Sequence, residues 1–567
     1  MEKHYNTKWL SSLQRGFLLS AALLLMSGMA MAQLNGTYTI NSASATSGTN
    51  FKSFTDLASA LKSNGVSGAV TVNVVKGSGP YSESVTFTQA SGASATNTIT
   101  INGNGETITT TSSTHVMQLQ GADRMKFDDL IINAAGTGNN TKCVLLRSNA
   151  DYNTFNNCEF VVSKYTGTSN TTAYVAFSNT TSSARSAGNH GSHNTFSNNK
   201  LWNGSTTSKS AGPYYGIVEY YNRATGNNTF ENNDMMHVYY YWMYNYYSSG
   251  YKINDNKFHV QRSNARYAYI TYSYYGNSRT TANQIQMNGN EYYDLDCDYV
   301  YGMYSFRCQG TSAKPFQMSE NKCYNNDGLY VYGPRPYYAN TYESNDNQVY
   351  NNSADYYLYG LYPYYSTNGE CVGNEIINNE AGYYVYGVYC YYASNVNIDG
   401  NTINNNKGGY GVYGFYHYYM TGTLTNNTYY NNSGDYYNYA FLGGYCRGSL
   451  DVTHNTIIMN GDVDYYNYAF YAYMYYAFTS MNYKNNIVVI SARAGYYNYV
   501  MYSQYNYKDM NWENNDFYIT SPSTTYYYTS GQHTTLANFN NSVGNTTNIS
   551  VDPKFKDLAK NDITPTN

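Results

Sequence analysis

A six-residue pattern recurs along most of the chain, with apolar residues at its first and last positions and Asn at the fourth. Examples are INDNKF at 253–258, IDGNTI at 398–403 and WENNDF at 512–517. The amphipathic 3.6-residue period that helical repeats need does not accompany it. Repeats of this length that hold two or three short β-rich runs are typical of a solenoid. The pattern therefore predicts an all-β chain wound into a parallel β-helix.

The fourth position of this pattern is Asn in twelve of thirteen copies, and Cys158 takes its place in the remaining one. From Asn321 onward the copies are 26 to 31 residues apart, and earlier steps vary between 23 and 41. Turns of a parallel β-helix lie about 4.8 Å apart, so equivalent residues stack. A stacked Asn can donate its amide to the Asn carbonyl of the next turn, which offsets the cost of burial. We predict a structural Asn ladder of Asn233, Asn256, Asn290, Asn321, Asn347, Asn374, Asn401, Asn427, Asn455, Asn486 and Asn515.

Tyrosine supplies 75 of the 567 residues, and many fall in a second repeating run such as YYLYGLY at 356–362 or YYVYGVY at 383–389. Residues alternate between the two faces of a strand, and we place the face with Tyr and a later Met, Leu, Val or Phe towards the interior. Rings about 4.8 Å apart can stack, with roughly 0.5–1.5 kcal/mol for each pair beyond burial. The predicted Tyr ladder comprises Tyr301, Tyr332, Tyr359, Tyr386, Tyr413, Tyr439, Tyr468 and Tyr499.

Both ends of the repeat region resemble a known family. The stretch NGTYTINSASATSGTNFKSFTDLASALKSN at 35–64 and the stretch VDPKFKDLAKNDITP at 551–565 are similar to the secreted right-handed parallel β-helix proteins of Bacteroidetes-type bacteria, which belong to the pectate-lyase-like class. The resemblance implies a right-handed β-helix scaffold of about 26–31 residues per coil, but not one particular activity. Family members often continue into a sorting domain for type IX secretion, so we expect either a truncated chain or another route of export.

The N-terminus has the pattern of a cleaved export signal. Basic residues precede a short apolar run at 17–26, and Ala30-Met31-Ala32 fits the small-x-small cleavage rule, so residues 1–32 are predicted to be a signal peptide. Residues 33–110 are predicted to form an N-terminal cap and the first coils, because apolar residues at 54, 57, 58 and 61 share one face of a short helix. We assign residues 111–555 to the β-helix and 556–567 to a C-terminal tail.

Composition narrows the possible partners and the location. Charged residues make up 12% of the chain and the formal net charge is −4, which gives no basic stripe for nucleic acid. After the signal no stretch is apolar enough to span a membrane, so we expect a secreted or cell-surface protein. The eight cysteines are irregularly spaced, and we interpret most of them as small buried residues, with room for one or two disulfides.

Candidate catalytic chemistry is confined to one acidic run, EYYDLDCDY at 291–299. If Asp294, Asp296 and Asp298 alternate along a strand, their carboxylates share one face, where they could bind Ca²⁺ or share a proton. Asp and Gly alternate at the position of Asp298 in other coils, which instead favours turn chemistry. We keep Asp294 and Asp296 as weak catalytic candidates, expect no cofactor except the Ca²⁺ just named, and favour a non-catalytic protein.

Three functions compete at this point. The first is a secreted or cell-surface rod that acts in adhesion, surface structure or self-assembly, since aligned exposed aromatic rows suggest contact with a partner. The second is a polysaccharide-binding or polysaccharide-degrading lyase or hydrolase, which rests mainly on fold analogy. The third is a fibre in which stacked tyrosines carry redox equivalents or form cross-links. The partners expected are therefore another copy of the chain or an extracellular polysaccharide.

Overall fold

The computed structural model describes residues 33–557 and 562–565, apart from 113, 224–225, 278–282, 447, 474–479, 504, 506–509 and 530. This part of the chain winds into a parallel β-solenoid of about 17 turns and contains two short helices. The predicted all-β, parallel β-helix fold class is therefore confirmed. The predicted signal peptide, residues 1–32, lies outside the described residues.

Most turns add one strand to each of three sheets, some turns add two to sheet three, and strands of successive turns pair in parallel. Sheet one, in which a single bridge residue, Gln286, joins two stretches, comprises Asn50–Phe51, Leu34–Ile40, Val66–Val74, Ile99–Asn102, Met125–Asp128, Thr154–Asn156, Thr195–Ser197, Thr229–Glu231, Lys252–Asn254, Phe316–Gln317, Asn340–Glu343, Thr367–Val372, Ser394–Asp399, Gly422–Thr425, Ser449–Thr453, Ser480–Lys484 and Met510–Glu513.

Sheet two follows sheet one in every turn. It comprises Tyr81–Ser82, Thr107–Thr110, Ile131–Ala134, Glu159–Val161, Lys200–Trp202, Asp234–Met235, Lys257–His259, Glu291–Tyr293, Lys322–Tyr324, Gln348–Tyr350, Glu375–Ile377, Thr402–Asn404, Thr428–Tyr430, Thr456–Met459, Ile487–Ile490 and Asp516–Ile519.

Sheet three carries the longest strands of the repeat region. It comprises Val85–Thr88, Met117–Gln120, Lys142–Arg147, Ala173–Phe177, Tyr215–Tyr220, Tyr241–Tyr246, Tyr267–Tyr274, Tyr299–Phe306, Asp327–Tyr332, Arg335–Tyr337, Ser353–Leu361, Glu380–Ala381, Tyr384–Tyr391, Lys407–Gly408, Gly411–Tyr418, Ser433–Gly434, Tyr437–Gly444, Tyr466–Tyr473, Tyr497–Ser503 and Thr525–Thr529, with Gln532–His533 added in antiparallel orientation.

The predicted ladder Asn residues lie in the turn between sheet one and sheet two. In each turn the preceding residue has a positive φ angle, for example Gly373 at 67° and Gly400 at 63°, so the chain bends sharply before the Asn. The side-chain oxygen of Asn401 accepts both the backbone N–H of Asn374, at 2.9 Å, and its Nδ2, at 2.8 Å. Nδ2 of Asn374 also donates to the carbonyl of Ser344, one turn earlier, at 2.9 Å.

The same two bonds to one oxygen recur at every step from Asn199 to Asn548. The ladder residues are buried, with exposed fractions of 0–2% from Asn233 to Asn515. Each carbonyl therefore satisfies two buried donors, which would otherwise cost free energy. The ladder ties each turn to the next through side chains as well as through the sheets.

A second, shorter ladder lies in the turn between sheet two and sheet three. Its members Asn326, Asn352, Asn379, Asn406 and Asn432 are buried. Each of the first four donates its backbone N–H and its Nδ2 to the side-chain oxygen of the next member. The residue before each of them is an exposed or half-buried Asn with a φ angle of 53–57°. The Asn pairs of the sequence thus divide their roles: the first Asn makes the bend and the second is a ladder member.

Helices cover both ends of the solenoid. Helix α1, Phe54–Asn64, begins at the N-cap Ser53, ends at Gly65, and buries Phe54, Leu57, Ala58 and Leu61. Helix α2, Leu536–Val543, buries Phe539, whose ring stacks on Tyr527 at 5.0 Å and meets Trp512 edge-on at 6.0 Å. Such helices protect the apolar ends of a stacked core. Helix α2 was not predicted from the sequence.

The predicted inward orientation of the Tyr ladder is wrong. In the strand Tyr384–Tyr391 the tyrosines are half-buried on the outer side, while Val385, Gly387, Val388 and Cys390 point inward. Two consecutive inward residues interrupt the alternation, which reverses the faces after the glycine. The glycine leaves room for the opposite sheet, because a Cβ on Gly387 would lie 2.2 Å from Cδ1 of Ile403.

We expect Gly387→Ala to lower the free energy of unfolding by about 1–3 kcal/mol through overpacking. Ile403→Val removes the obstructing Cδ1 and should recover part of this loss, because the two changes act on the same space. Urea unfolding of the two single variants and the double variant measures this coupling. Additive effects would show that the contact does not limit residue 387.

We expect Asn401→Ala to lower the free energy of unfolding by about 3 kcal/mol or more, since it leaves two buried donors of Asn374 without their acceptor. The control is Asn405→Gly, at an exposed position with a φ angle of 54° that glycine adopts readily. Thermal and urea unfolding compare the two variants. Equal losses would mean that the ladder bonds do not hold the turns together.

Candidate functional site: a tyrosine-covered face

The outer side of sheet three carries an unbroken central column of tyrosines. Its stacked rings from Tyr269 to Tyr499 have centroids 4.4–5.0 Å apart and interplanar angles of 2–17°. All eight tyrosines of the predicted Tyr ladder lie in it. Strand pairing gives the central column as Tyr215, Tyr241, Tyr269, Tyr301, Tyr332, Tyr359, Tyr386, Tyr413, Tyr439, Tyr468, Tyr499 and Tyr526.

A second column lies beside the central one, three residues further along each strand, or two in the last strand, where the register shifts. The rings of Tyr389 and Tyr416 stack at 4.5 Å and 3°. Arg335 and Leu442 each replace one ring in this column. The second column comprises Tyr244, Tyr272, Tyr304, Arg335, Tyr362, Tyr389, Tyr416, Leu442, Tyr471, Tyr502 and Tyr528.

The two columns pack against each other in a herringbone. The rings of Tyr386 and Tyr389 meet at 89°, and those of Tyr468 and Tyr471 at 84°. Aromatic carbons make their best contact at about 3.5–4.0 Å, which is shorter than the turn spacing, so stacked rings must tilt. Tilting in opposite senses turns the contact between columns into an edge-to-face contact, the other favourable geometry. Most rings of the central column thus contact rings above, below and beside them, and Tyr359 with Tyr362 is an exception to the edge-on geometry, at an interplanar angle of 12°.

Three further columns widen this aromatic surface on both sides. Before the central column lie Tyr267, Tyr299, Tyr330, Tyr357, Tyr384, Tyr437, Tyr466 and Tyr497, and further out an edge column of Tyr356, Tyr383, Tyr410, Tyr436, Tyr465 and Tyr496. After the second column lie Tyr220, Tyr246, Tyr274, Phe306, Tyr337, Tyr364, Tyr391 and Tyr418. We call the whole surface, together with the turn column described next, the tyrosine face.

The turn column closes the tyrosine face where each strand of sheet three ends. Its members are bulky residues with φ angles of 49–55°, a left-handed conformation that costs such residues about 1–3 kcal/mol. The rings still stack, for example Tyr392 on Tyr419 at 4.2 Å. Stacking contacts therefore offset backbone strain at this turn. The column comprises Tyr221, Tyr247, Tyr275, Arg307, Tyr338, Tyr365, Tyr392, Tyr419 and Tyr445.

The tyrosine face is partly open to solvent and almost uncharged. Most of its rings are half-buried, and the edge column is the most open, with exposed fractions of 39% at Tyr383, 43% at Tyr410 and 54% at Tyr496. Its columns contain two arginines and no acidic residue in the described part of the chain. The Arg335 guanidinium lies 4.6–5.2 Å from four tyrosine ring centroids, so rings rather than carboxylates surround its charge.

Burial raises the pKa of several phenols in the central and second columns of the face. It raises the pKa of Tyr359 to about 12, with the neighbouring phenol of Tyr357 acting in the same sense and Arg335 against it. Burial likewise raises the pKa of Tyr416 and of Tyr471 to about 12. For Tyr386 the pKa lies well above its ordinary value because of burial and the phenols of Tyr359 and Tyr413. The face is therefore uncharged over the physiological pH range, apart from its arginines.

The structure separates the weak catalytic candidates Asp294 and Asp296. Asp294 is exposed in a bend with a φ angle of 52°, so the two aspartates do not alternate along one strand as predicted. Asp296 lies beside Asp327 in an open pocket of about 410 Å³ that also contains Asp298, whose carboxylate accepts from Nε of Arg266 at 2.6 Å. Among the described residues, no group of three or more His, Cys, Asp or Glu side chains could hold a metal ion.

A polar groove of about 480 Å³ lies along sheet one, which the sequence analysis did not single out. Glu343 and Glu370 are paired neighbours in it, and Glu343 accepts a hydrogen bond from Nε2 of Gln317 at 3.0 Å. The flanking positions are Asn, Thr and Gly. One half-buried and one exposed carboxylate, with no cation among the described residues that line the groove, give it less chemical definition than the tyrosine face has.

All eight cysteines are buried and unpaired, which agrees with their interpretation as small buried residues and leaves no disulfide. Burial raises the pKa of the Cys158 thiol to about 12 and that of the Cys371 thiol to about 12, so these thiols stay protonated. Within the described part of the chain, no helix is long and apolar enough to cross a membrane.

Comparison with known proteins adds little to this description. No protein-family model and no curated protein matches the chain. Among solved structures, the chain is similar to the A-module of the Azotobacter vinelandii mannuronan C-5 epimerase AlgE6, with 11% sequence identity and a TM-score of 0.25. The alignment covers 88% of this chain and 96% of that module. So weak a likeness carries no argument about function, and the family resemblance stays a prediction.

We expect the protein to lose stability as the pH rises from about 10 towards 12. In the unfolded chain tyrosine ionises near pH 10, whereas Tyr359, Tyr416 and Tyr471 hold their protons to about 12, so base favours the unfolded state. The triple variant Tyr359→Phe, Tyr416→Phe, Tyr471→Phe keeps the rings and removes these titrations, so it should lose stability less steeply. Urea unfolding between pH 8 and pH 11.5 measures both slopes; identical slopes would contradict this account.

Proposed function

We propose that the protein is a secreted, non-catalytic rod that acts in adhesion or surface structure and makes contact through its tyrosine face. The observation that carries this proposal is the size and regularity of the face. The largest apolar patch on an ordinary monomer is about 300–600 Å², and larger patches mark interaction sites. Strands of eight residues over twelve turns give the tyrosine face a projected area of about 1,400 Å².

The repeat itself supports a contact role. A patch made of closely similar rows presents nearly the same chemistry at successive turns, so binding energy accumulates along the rod instead of converging on one pocket. Reactive sites, by contrast, need a few different groups held around one point. The neutral phenols and ring-enclosed Arg335 of the tyrosine face do not provide such a group.

The polysaccharide alternative has less support on this face. A sugar stacks on an aromatic side chain whose flat ring face is open to solvent. In the central column both faces of each tyrosine ring are covered by the tyrosines above and below it. What remains for a partner is the rim of each ring and its hydroxyl group. The redox alternative also has less support, because the raised pKa of buried phenols such as Tyr416 opposes the proton loss that accompanies tyrosine oxidation.

We expect Tyr386→Lys, Tyr389→Lys to weaken attachment at least fivefold, because two charges would stand in the middle of a neutral face. The matched control is Tyr324→Lys, Tyr350→Lys, in a stacked tyrosine row on sheet two with a ring spacing of 5.0 Å. Retention on polystyrene beads, silica, microcrystalline cellulose and chitin provides the measurement, with circular dichroism to confirm folding. Equal retention of the two variants, or no retention of the wild type on any of these surfaces, would refute the proposed role.

A further inference from the structure

The partner that best fits the tyrosine face is the same face of a second copy of this chain. We propose that two rods pair face to face about a twofold axis that runs parallel to the rods. This inference rests on the proposed function, in which the tyrosine face is the contact surface, and it names the partner that the face takes. Because the pair is isologous, the same columns contribute from both copies.

The area of the face is sufficient for a stable pair. A standard protein–protein interface takes about 800 Å² from each partner, and the tyrosine face offers roughly 1,400 Å² in projection. Tyrosine is enriched in interface cores, whereas the charged residues depleted there are nearly absent from these columns. Raised pKa values keep phenols such as Tyr359 and Tyr471 neutral, so two such faces do not repel each other near neutral pH.

The period of the face also favours a second copy. The rings repeat at 4.7–5.0 Å along the central column between Tyr301 and Tyr499. A partner makes equivalent contacts at every turn only if it has the same period, which a second parallel β-helix has by construction. Ring rims and hydroxyl groups from one face can then fill the spaces between rows of the other, as side chains do between packed sheets.

Charges at the two edges of the face select the orientation of the pair. Asp355, Asp435 and Asp464 lie where strands of sheet three begin, together with the ion pair of Asp298 and Arg266, and Arg307 lies where one strand ends. A twofold axis parallel to the rods places the beginning of each strand opposite the end of the partner's strand, at the same height. The acidic edge of one copy then faces the edge that carries Arg307 in the other. The opposite orientation would place two acidic edges together, which costs free energy.

Sedimentation equilibrium of the mature chain tests the pairing. We expect the wild type and the control Tyr324→Lys, Tyr350→Lys to sediment as dimers at micromolar concentration, and Tyr386→Lys, Tyr389→Lys to dissociate at least tenfold more easily. Tyr383→Ser, Tyr410→Ser, at the most open edge of the face, provides a milder second variant that should weaken the dimer in the same direction. A wild-type monomer at 100 μM, or a dimer that neither face variant weakens, overturns the proposal.

Cross-linking tests the orientation. Single cysteines introduced by Tyr304→Cys and by Tyr471→Cys lie six turns apart in the second column. In parallel rods each should link to its own counterpart through a short bismaleimide, and the eight native cysteines should not react because they are buried. A dimer in which neither variant self-links overturns the pairing. If the protein is monomeric but its adhesion depends on the tyrosine face, this inference fails and the proposed function stands. If the protein is a face-paired dimer but the face variants adhere as the wild type does, the proposed function fails and this inference stands.

Discussion

Hydrogen bonding between equivalent residues of successive turns is the constraint on which the rest of this structure depends. The sheets fix the spacing of the backbone, and the Asn ladder fixes the turns, because each side-chain oxygen accepts two buried donors from the turn before it. Once every turn stands directly above the last, any side chain that recurs at one position becomes a column. The tyrosine face is the consequence of that rule on the outer side of sheet three.

The columns in turn explain the sequence composition. Rings spaced by the backbone must tilt to touch, and neighbouring columns tilt in opposite senses, as the 89° contact of Tyr386 and Tyr389 shows. The interior restricts the inward residues of the same strands, because glycine at positions such as Gly387 leaves space for the apolar side chains of sheet two. Tyrosine outside and glycine or alanine inside are thus two requirements of one strand.

The strict repeat made the fold and both sets of columns predictable. One repeat register places Asn374 and Tyr386 in line with equivalent residues in distant parts of the chain. The orientation of the tyrosines could not be predicted by simple alternation, since Gly387 and Val388 both point inward. Asn548 lacks the flanking apolar positions of the pattern, although it lies 33 residues after Asn515 and continues the ladder. Helix α2 falls outside the repeat, and its own signal is short: Leu536, Phe539 and Val543 recur at helical spacing between the N-cap Thr535 and Gly544.

Removal of one whole turn tests the equivalence of turns most directly. Deletion of residues 375–401 takes out the 27 residues that separate Asn374 from Asn401 and should bring Asn374 into contact with Asn427. We expect this variant to unfold cooperatively in urea with nearly wild-type stability, whereas deletion of residues 375–388 breaks the register and should unfold the protein. If the whole-turn deletion is as damaging as the half-turn deletion, the turns are not equivalent and the stacked-column account is wrong.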